Sequence, residues 1–318
     1  MTVKQPSSES GALVEHTLSN GQTISLPPHD DFYASFTVRN RGLIPDDEQQ
    51  RLRNARVLVA GCGSVGGAVI EPLVRMGAER LDLAEPDGYD LHNMNRQSVR
   101  LQDLDRNKAE VFRERMLDIN PYASITVHPH GITDDNVEEL VRSSAIIIDA
   151  VDVTTQKPLR AKFAVHVQAK RFRVPVIAGY DVAGLQLLHI YDYRKASTRV
   201  MHGKVRADQL PTLQPMEFLR KVVPIAAIPN EMIPELGQQL RGERQGFPQI
   251  VYTAQLFGVL ALRATLDLLA ERPIKKRIIV DVPTQMRTLP ERMRAMWTRW
   301  NGLFHLNNEF RRSRRRAK

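Results

Sequence analysis

The stretch "RVLVAGCGSVGGAVIEPLVRMG", residues 56–77, decides the fold of this chain. An apolar run from Val57 to Ala60 is followed by a glycine-rich turn and an amphipathic pattern that ends at Gly77. That order predicts a buried strand, a tight loop and a helix. Glycines there let the backbone approach a phosphate, and the helix N-terminus offers unpaired N–H donors. The stretch therefore predicts a phosphate-binding loop made by Gly61, Gly63 and Gly66.

Strands and helices alternate along the rest of the first half of the chain. The patterns "RLDLAE", "SITVHPH", "AIIIDAVD" and "VPVIAG" predict strands, and longer helical patterns such as "NKAEVFRERMLDINP" lie between them. Strands joined by crossover helices pair in parallel, with helices on both faces of the sheet. Beyond Gly179, "LQLLHIYDYR" and "KKRIIVDV" predict additional strands. We expect an α/β fold with a doubly wound, mostly parallel, Rossmann-like sheet, a mixed or antiparallel C-terminal extension and added helices.

Composition and charge exclude several classes of protein. No run approaches the ~18 apolar residues of a membrane span and the N-terminus lacks the pattern of a secretion signal, so we expect a cytoplasmic protein. The single cysteine, Cys62, excludes a disulfide or a cysteine-rich zinc site within one chain. The net charge is +9, with six positive charges in the tail "RRSRRRAK". Such a tail is more often a solvated, disordered end than a contact for tRNA or an anionic surface.

A polar stretch, "EPDGYDLHNMNRQ" at residues 85–97, follows the second strand of the alternation. Glu85 lies nineteen positions after Gly66, a spacing at which an acid commonly hydrogen-bonds ribose hydroxyls. Asp152, next to the C-terminal end of the strand "AIIIDAVD", suits Mg²⁺. The polar side chains that could reach a triphosphate are Asn93, Asn95, Arg96, Gln97 and Lys108. Attack on the α-phosphate of ATP needs cations that a dinucleotide site does not, so this set favours ATP.

Four segments resemble the ThiF, MoeB and HesA superfamily, the bacterial relatives of ubiquitin-activating enzymes. They are "RVLVAGCGSVGG", "EPDGYDLHNMNRQ", "NKAEVFRERMLDINP" and "IIIDAVDV". The resemblance covers about residues 35–190, and "N-x-x-R-Q" followed by Lys and then Asp is its most specific part. It implies adenylation: a carboxylate attacks the α-phosphate of ATP, pyrophosphate leaves and an acyl-adenylate remains.

The resemblance also implies roles for individual residues. Glu85 takes the position of the ribose-binding acid, and Asp152 that of the catalytic acid linked to magnesium. Arg39 in "FTVRNRGLI", with Arg41 close by, matches an arginine that reaches into the site of a neighbouring subunit, which implies a homodimer. The resemblance points to Asn93, Arg96 and Lys108 as phosphate contacts, with Arg96 and Lys108 as catalytic cations. The predicted ATP site also includes Asp87, Asn95 and Gln97.

The sequence departs from the superfamily pattern at several points. Many members hold zinc with two CxxC pairs, and some carry a cysteine that takes the acyl group as a thioester; this sequence has neither. Cys62 lies inside the phosphate loop, where we interpret it as a packing residue. Val153 replaces the usual Asn after the catalytic acid, and Ser64 replaces a loop glycine. We therefore expect adenylation of a carboxylate on a small carrier protein or peptide, without an internal thioester.

Three alternatives remain open from the sequence. An NAD(P)- or FAD-dependent oxidoreductase shares the glycine loop but leaves Arg96, Lys108 and Asp152 without a role. A tRNA-base dehydratase of the same superfamily would give the basic tail a use. A non-catalytic partner would keep the fold in order to recruit a substrate for another enzyme.

The predicted organisation has four parts. Residues 1–31 form an N-terminal extension in which an Asn-Gly pair predicts a hairpin with a two-residue turn. Residues 32–190 form the ATP-binding core, residues 191–300 the substrate- or dimer-binding part of the same fold, and residues 301–318 the basic tail. Asp181 is interpreted either as a turn residue or as part of an acceptor channel.

Overall fold

The chain, described here from a computed structural model at residues 12–153, 155–243 and 247–316, forms one large sheet, one hairpin and a set of helices. The strands are β1 (Val14–Thr17), β2 (Thr23–Leu26), β3 (Arg56–Ala60), β4 (Arg80–Ala84), β5 (Ser124–His128), β6 (Ile146–Asp149), β7 (Val176–Val182), β8 (Leu185–Tyr191) and β9 (Arg277–Asp281). The α-helices are α1 (His29–Phe36), α2 (Asp46–Asn54), α3 (Ser64–Arg75), α4 (Lys108–Leu117), α5 (Val137–Ser143), α6 (Gln156–Phe172), α7 (Pro215–Val222), α8 (Met232–Arg241), α9 (Val251–Leu269), α10 (Val282–Met286) and α11 (Leu289–Arg316).

The central sheet has seven strands in the order β5-β4-β3-β6-β7-β8-β9. The five strands from β5 to β7 pair in parallel, whereas β8 and β9 add in antiparallel pairs. Strand order reverses between β3 and β6, because β3 is followed in the chain by β4 on one side and pairs with β6 on the other. The predicted Rossmann-like sheet with an antiparallel C-terminal extension is confirmed, and the crevice at this reversal is where such sheets bind ligands.

Two apolar layers cover the two faces of this sheet. Val57 and Val59 pack with residues of α3, α4 and α9, whereas Leu58 packs with residues of α5 and α6. The alternation follows from the period of two along a strand, and strands covered on both faces read as continuous apolar runs. Helix α9 lies against α3 so closely that a Cβ on Gly258 would come within 2.2 Å of the Ala68 carbonyl oxygen. Burial thereby explains one face of α9, whereas Val259 on the same helix is 64% exposed.

Two predictions about the ends of the chain are corrected. The hairpin of β1 and β2 is present, but Leu18 and Gln22 pair through their backbones and enclose three residues, not two. Gly21 takes a φ of +83°, the left-handed conformation that three-residue hairpin loops favour. At the other end, α11 runs from Leu289 to Arg316, so the predicted boundary at residue 301 falls inside a helix and the basic segment is helical as far as Arg316. None of the helices in the described residues is both long and apolar enough to cross a membrane.

Candidate nucleotide-binding site

A cleft of about 1550 Å³ opens at the C-terminal ends of β3, β4, β6 and β7. Parallel strands present their C-terminal ends at one edge, so the loops that follow them meet there. Most of the predicted site residues line this one cleft: Gly61, Gly63, Glu85, Asp87, Asn93, Asn95, Arg96, Gln97, Lys108 and Asp152. The side chains that the sequence assigned to a triphosphate are therefore gathered at a single place.

The glycine loop needs two of its glycines for packing and leaves one facing the cleft. Gly61 has a φ of +91°, and a Cβ there would lie 2.4 Å from the Ala150 carbonyl oxygen. A Cβ on Gly66 would lie 1.8 Å from the Gly61 carbonyl oxygen, and Gly66 is not among the cleft-lining residues. A Cβ on Gly63 would have no neighbour nearer than the Gln97 amide nitrogen at 3.8 Å. Gly66 lets α3 start close under the loop, and its part in phosphate binding stays a prediction.

Glu85 ties the glycine loop to the end of β4. Its side chain is 4% exposed; one carboxylate oxygen accepts from the backbone N–H of Cys62 at 2.6 Å and the other from that of Asp87 at 3.0 Å. Burial raises the pKa of the Glu85 carboxyl, and the charge of Lys108 opposes that rise. A carboxylate has about four acceptor positions, so two remain for a ribose. Glu85 thus holds the loop in shape as well as standing at the predicted ribose position.

Lys108 reaches the cleft because of the cap of α4. The side-chain oxygen of Asn107 accepts from the N–H of Ala109 at 2.9 Å, and its amide donates to the Glu85 carbonyl at 2.8 Å. This cap starts the helix beside β4 and makes Lys108 its first residue. Lys108 is 8% exposed and stands over the Tyr89 ring, 6.0 Å from its centroid. A nearly buried ammonium at a helix N-terminus forms a site for an anion.

Arg96 is the second cation in the cleft. One terminal nitrogen donates to the His92 carbonyl at 2.9 Å and to the Asn95 side-chain oxygen at 2.8 Å. Its Nε is buried and has no hydrogen-bond partner in the described residues. Burial lowers the pKa of Arg96, whereas the charges of Asp181 and Asp152 raise it. The charges of both carboxylates thus act on the guanidinium, and its Nε keeps a donor for a ligand.

Asp181, which the sequence left undecided, belongs to the cleft. It lies on β7, and Ser64 at the start of α3 donates to its carboxylate at 3.2 Å. Burial raises the pKa of Asp181 to about 6, against the opposing effects of Ser64 and Arg96. Asp181 is thus a strand residue that lines the cleft and not a turn residue, and its part in an acceptor channel stays a prediction.

Some side-chain amides of the polar stretch are used in hydrogen bonds within the chain, and one keeps an oxygen that a ligand could bind. The Asn93 side-chain oxygen accepts from the N–H of Asp90 at 2.9 Å, and the Asn95 amide donates to the Gln249 carbonyl at 3.2 Å. The Gln97 side-chain oxygen is buried with no hydrogen-bond partner in the described part of the chain. Buried polar groups are nearly always paired, so the Gln97 oxygen and the Arg96 Nε together indicate a polar ligand.

A buried polar network lies behind the loop that carries Asp152. Asp149 is fully buried and pairs with Lys162 at 2.8 Å and with His166 at 2.9 Å. The other ring nitrogen of His166 lies 2.7 Å from the Tyr193 hydroxyl, which accepts from the N–H of Met201 and so donates to the ring. Burial lowers the pKa of His166, which keeps the ring neutral and able to donate to Asp149.

Asp149 stays charged within this network. Burial alone would raise its pKa, but the charge of Lys162 and the hydrogen bond from His166 outweigh burial and lower the pKa. The Lys162 ammonium also lies 3.5 Å from the carbonyl oxygens of Asp149 and Val151. The network therefore holds the backbone just before Asp152. The network was not predicted from the sequence, because its only local signal is a lysine and a histidine four residues apart on one helix.

Several predicted residues lie elsewhere. Arg39 and Arg41 are exposed and are not among the residues that line the cleft of their own chain. Cys62 is fully buried, and burial raises the pKa of its thiol, which does not suit a nucleophile. No cluster of three or more His, Cys, Asp or Glu side chains suited to a metal exists within the described ranges.

Comparison with known proteins decides the family. The model of the ThiF family matches residues 37–276. The chain belongs to the ThiF family. The curated relatives of this ThiF-family chain include a sulfur carrier protein adenylyltransferase of Thermus thermophilus, 32% identical over 105 residues, which are 33% of this chain and 39% of that protein. The match thus spans less than half of the relative's length.

Two solved structures of E. coli proteins share the fold of this ThiF-family chain. The tRNA N6-threonylcarbamoyladenosine dehydratase TcdA in complex with ATP gives a TM-score of 0.54 at 21% identity and covers 75% of this chain and 95% of that one. MccB in complex with MccA-N7isoASN gives a TM-score of 0.52 at 17% identity and covers 80% of this chain and 66% of that one. At these identities the likeness shows the fold alone.

Proposed function

We propose that this chain catalyses the ATP-dependent adenylation of a carboxylate on a small carrier protein or peptide. The observation that carries the proposal is the convergence of Arg96, Lys108 and Asp152 on one cleft beside the glycine loop. The relative from Thermus thermophilus, which is named as an adenylyltransferase, supports the reaction type. The E. coli fold relative solved with ATP supports ATP as the nucleotide.

In the proposed mechanism the chain acts through position and charge. The glycine loop and the start of α3 accept the phosphates, with Glu85 at the ribose. Lys108 and Arg96 offset the charge that builds on the phosphoryl oxygens while the substrate carboxylate oxygen bonds to the α-phosphorus. The bond to the β-phosphate oxygen breaks, and pyrophosphate leaves with that electron pair. The products are the acyl-adenylate and pyrophosphate.

Asp152 fits the role of the residue that would hold Mg²⁺. Magnesium in nucleotide sites is bound by one or two carboxylates, the substrate phosphates and water, so a large cluster of acidic ligands is not required. A bound Mg²⁺ would neutralise part of the negative charge of the phosphates. Asp152 lines the cleft, and its charge acts on Arg96, so the carboxylate is placed to share a ligand with that arginine.

The acyl group would pass directly from the adenylate to an external or intramolecular nucleophile. The chain has one cysteine, and Cys62 is fully buried with its thiol pKa raised by burial. A thioester on this chain is therefore not part of the proposal. Because the reaction consumes ATP, we place it in the cytoplasm.

We further propose a homodimer in which Arg39 completes the site of the neighbouring subunit. Arg39 is exposed and outside its own cleft, as an arginine that acts on a partner would be. A two-fold dimer places the same patch of each chain against the other, so both sites would gain the residue.

A tRNA substrate is the second candidate. The fold likeness to a tRNA dehydratase and the basic C-terminal segment favour it. ThiF-family membership disfavours an oxidoreductase, in which Arg96, Lys108 and Asp152 would also have no role.

The test is ATP–pyrophosphate exchange driven by peptides, small carrier proteins or tRNA that present a carboxylate. We expect Arg96→Ala and Asp152→Ala each to lower exchange by about 100- to 1000-fold, the usual cost of one group that stabilises charge in a transition state. Arg100→Ala is the matched control, because Arg100 is exposed on the same segment and does not line the cleft. Wild-type exchange rates in the Arg96 and Asp152 variants would contradict the site. Exchange driven by tRNA alone would move the substrate to the second candidate.

A further inference from the structure

The cleft continues past the charged groups into an apolar region. The region is walled by α7, by α8 and by the segments that flank them, and we call it the apolar chamber. It is lined by Met216, Leu219, Val223, Ile225, Ile228, Met232, Leu236 and Phe247. Helix α7 is apolar on two sides: Phe218 and Val222 are buried beneath it, while Met216 and Leu219 are partly exposed and face the cleft. Met216 and Leu219 also pack against the core, but part of each side chain stays exposed at the cleft, where it can contact a ligand.

The apolar chamber lies on the opposite side of the glycine loop from the predicted ribose position. Glu85 follows β4, whereas Tyr180 and Asp181 lie on β7, three strands along the sheet through β3 and β6. Neighbouring strands are about 4.8 Å apart, so the two positions are separated by roughly 14 Å. A nucleotide with its ribose at Glu85 and its phosphates at the glycine loop leaves the chamber to the other substrate. This step rests on the proposed function.

Tyr180 is a cleft-lining residue of β7 that packs against α7 in the wall of the chamber. Its side chain is 6% exposed and lines the cleft, and its hydroxyl has no hydrogen-bond partner in the described residues. The ring packs against Phe218 of α7, with 6.5 Å between the ring centroids. The Lys162 ammonium lies 5.4 Å from the Tyr180 ring centroid, so Tyr180 connects the network behind Asp152 to the chamber wall.

The Tyr180 hydroxyl acts as a donor. Burial raises the pKa of Tyr180 well above its usual value, so the hydroxyl keeps its proton at physiological pH. A buried donor without a partner costs free energy unless a ligand accepts from it. The single carboxylate of a fatty acid would react at the α-phosphate, whereas a peptide also carries backbone carbonyls that can accept from Tyr180, which favours a peptide.

We propose that the apolar chamber binds a large apolar side chain at one of the last two residues of the peptide whose carboxylate is activated, while Tyr180 donates a hydrogen bond to a backbone carbonyl of that peptide. The chain would then select against tails that end in small residues alone. Burying one apolar side chain in such a pocket changes specificity by about 10- to 100-fold.

The test uses decapeptides of one sequence that end in Gly-Gly, Phe-Gly or Gly-Phe. Fluorescence anisotropy with AMP present gives each peptide Kd, and ATP–pyrophosphate exchange gives kcat/KM. We expect a peptide with Phe to bind about 10- to 100-fold more tightly than the Gly-Gly peptide, and Leu219→Gln to reduce that advantage below about threefold. Tyr180→Phe should weaken binding of the Phe peptide by about fivefold without changing the Kd for ATP. Leu289→Gln is the control, because Leu289 is 72% exposed at the start of α11 and outside the cleft.

The outcomes separate this inference from the proposed reaction. Equal binding of all three peptides, or no binding of any, overturns the chamber assignment, and exchange with the Gly-Gly peptide would still support adenylation. Tight binding of a Phe peptide that depends on Leu219, without exchange, supports the chamber and contradicts adenylation. Binding of octanoate measured by calorimetry that depends on Leu219, with no peptide bound, would show that the chamber takes an acyl chain and that the peptide assignment is wrong.

Discussion

Replacing Lys162 by methionine should destabilise the chain through the charge that it leaves behind. Lys162 is 1% exposed and pairs with Asp149, which is fully buried. Methionine keeps much of the volume, so the main change is an uncompensated carboxylate. In the folded variant Asp149 becomes protonated instead. The unfolded pKa is near 3.9, about three pH units below pH 7, and each unit corresponds to about 1.4 kcal/mol, so protonation at pH 7 costs about 4 kcal/mol. We expect the free energy of unfolding to fall by about that amount.

The pH dependence of the Lys162→Met deficit identifies its cause. The wild-type pKa of Asp149 is lowered, so its contribution is present above the unfolded pKa and constant between pH 5 and pH 7. In the variant the protonation cost falls with pH, so the deficit should shrink to about 1.5 kcal/mol at pH 5. Urea unfolding followed by circular dichroism at both pH values measures it.

The control for this prediction is Lys170→Met on the same helix. Lys170 is partly exposed and donates to the Ala196 carbonyl at 2.9 Å, so its loss should change stability by less than about 1 kcal/mol. A Lys162→Met deficit below about 1 kcal/mol at pH 7, or one that stays equal at pH 5, would refute the reasoning. ATP–pyrophosphate exchange by folded Lys162→Met protein should also fall, because the ammonium holds the backbone that precedes Asp152.

Three further predictions concern the glycine loop, Asp181 and the dimer. Gly66→Ala should lower stability by about 3 kcal/mol or more, because its Cβ would collide with a loop carbonyl, whereas Gly63→Ala should stay within about 1 kcal/mol; urea unfolding compares them. The pKa of Asp181 is raised to about 6, so its ionisation costs stability as pH rises. Asp181→Asn should stabilise by about 3 kcal/mol at pH 8 and by about half that at pH 5, and an equal gain at both would contradict the shift. Mixing inactive Arg39→Ala and Asp152→Ala chains should restore roughly a quarter of wild-type exchange. Half of the dimers are then mixed, and each mixed dimer has one intact site out of two. No recovery would count against an arginine that acts in the site of the partner.

Much of the fold and part of the site could be read from local patterns. The apolar run at residues 57–60, the glycines after it and the helical period that follows predict β3, the loop and α3 without any distant contact. The polar stretch at residues 85–97 and Lys108 were assigned to one ligand because strand ends of a parallel sheet meet at one edge. The two-residue turn of the hairpin was wrong and the predicted boundary at residue 301 falls inside α11, because loop type and helix length depend on backbone geometry that composition does not reveal.

What the sequence determined by itself was the order of strands and helices and the charges carried after each strand, since these depend on residues close together in the chain. Only the tertiary structure decided which distant groups touch. Ser64 meets Asp181 across 117 positions of sequence, and Asp149 meets Lys162 and His166 from a neighbouring helix. Those contacts arise where strands far apart in the chain lie side by side in the sheet. The burial that shifts the pKa of Asp181 and leaves the Tyr180 hydroxyl unpaired exists only once the sheet and its covering helices are assembled.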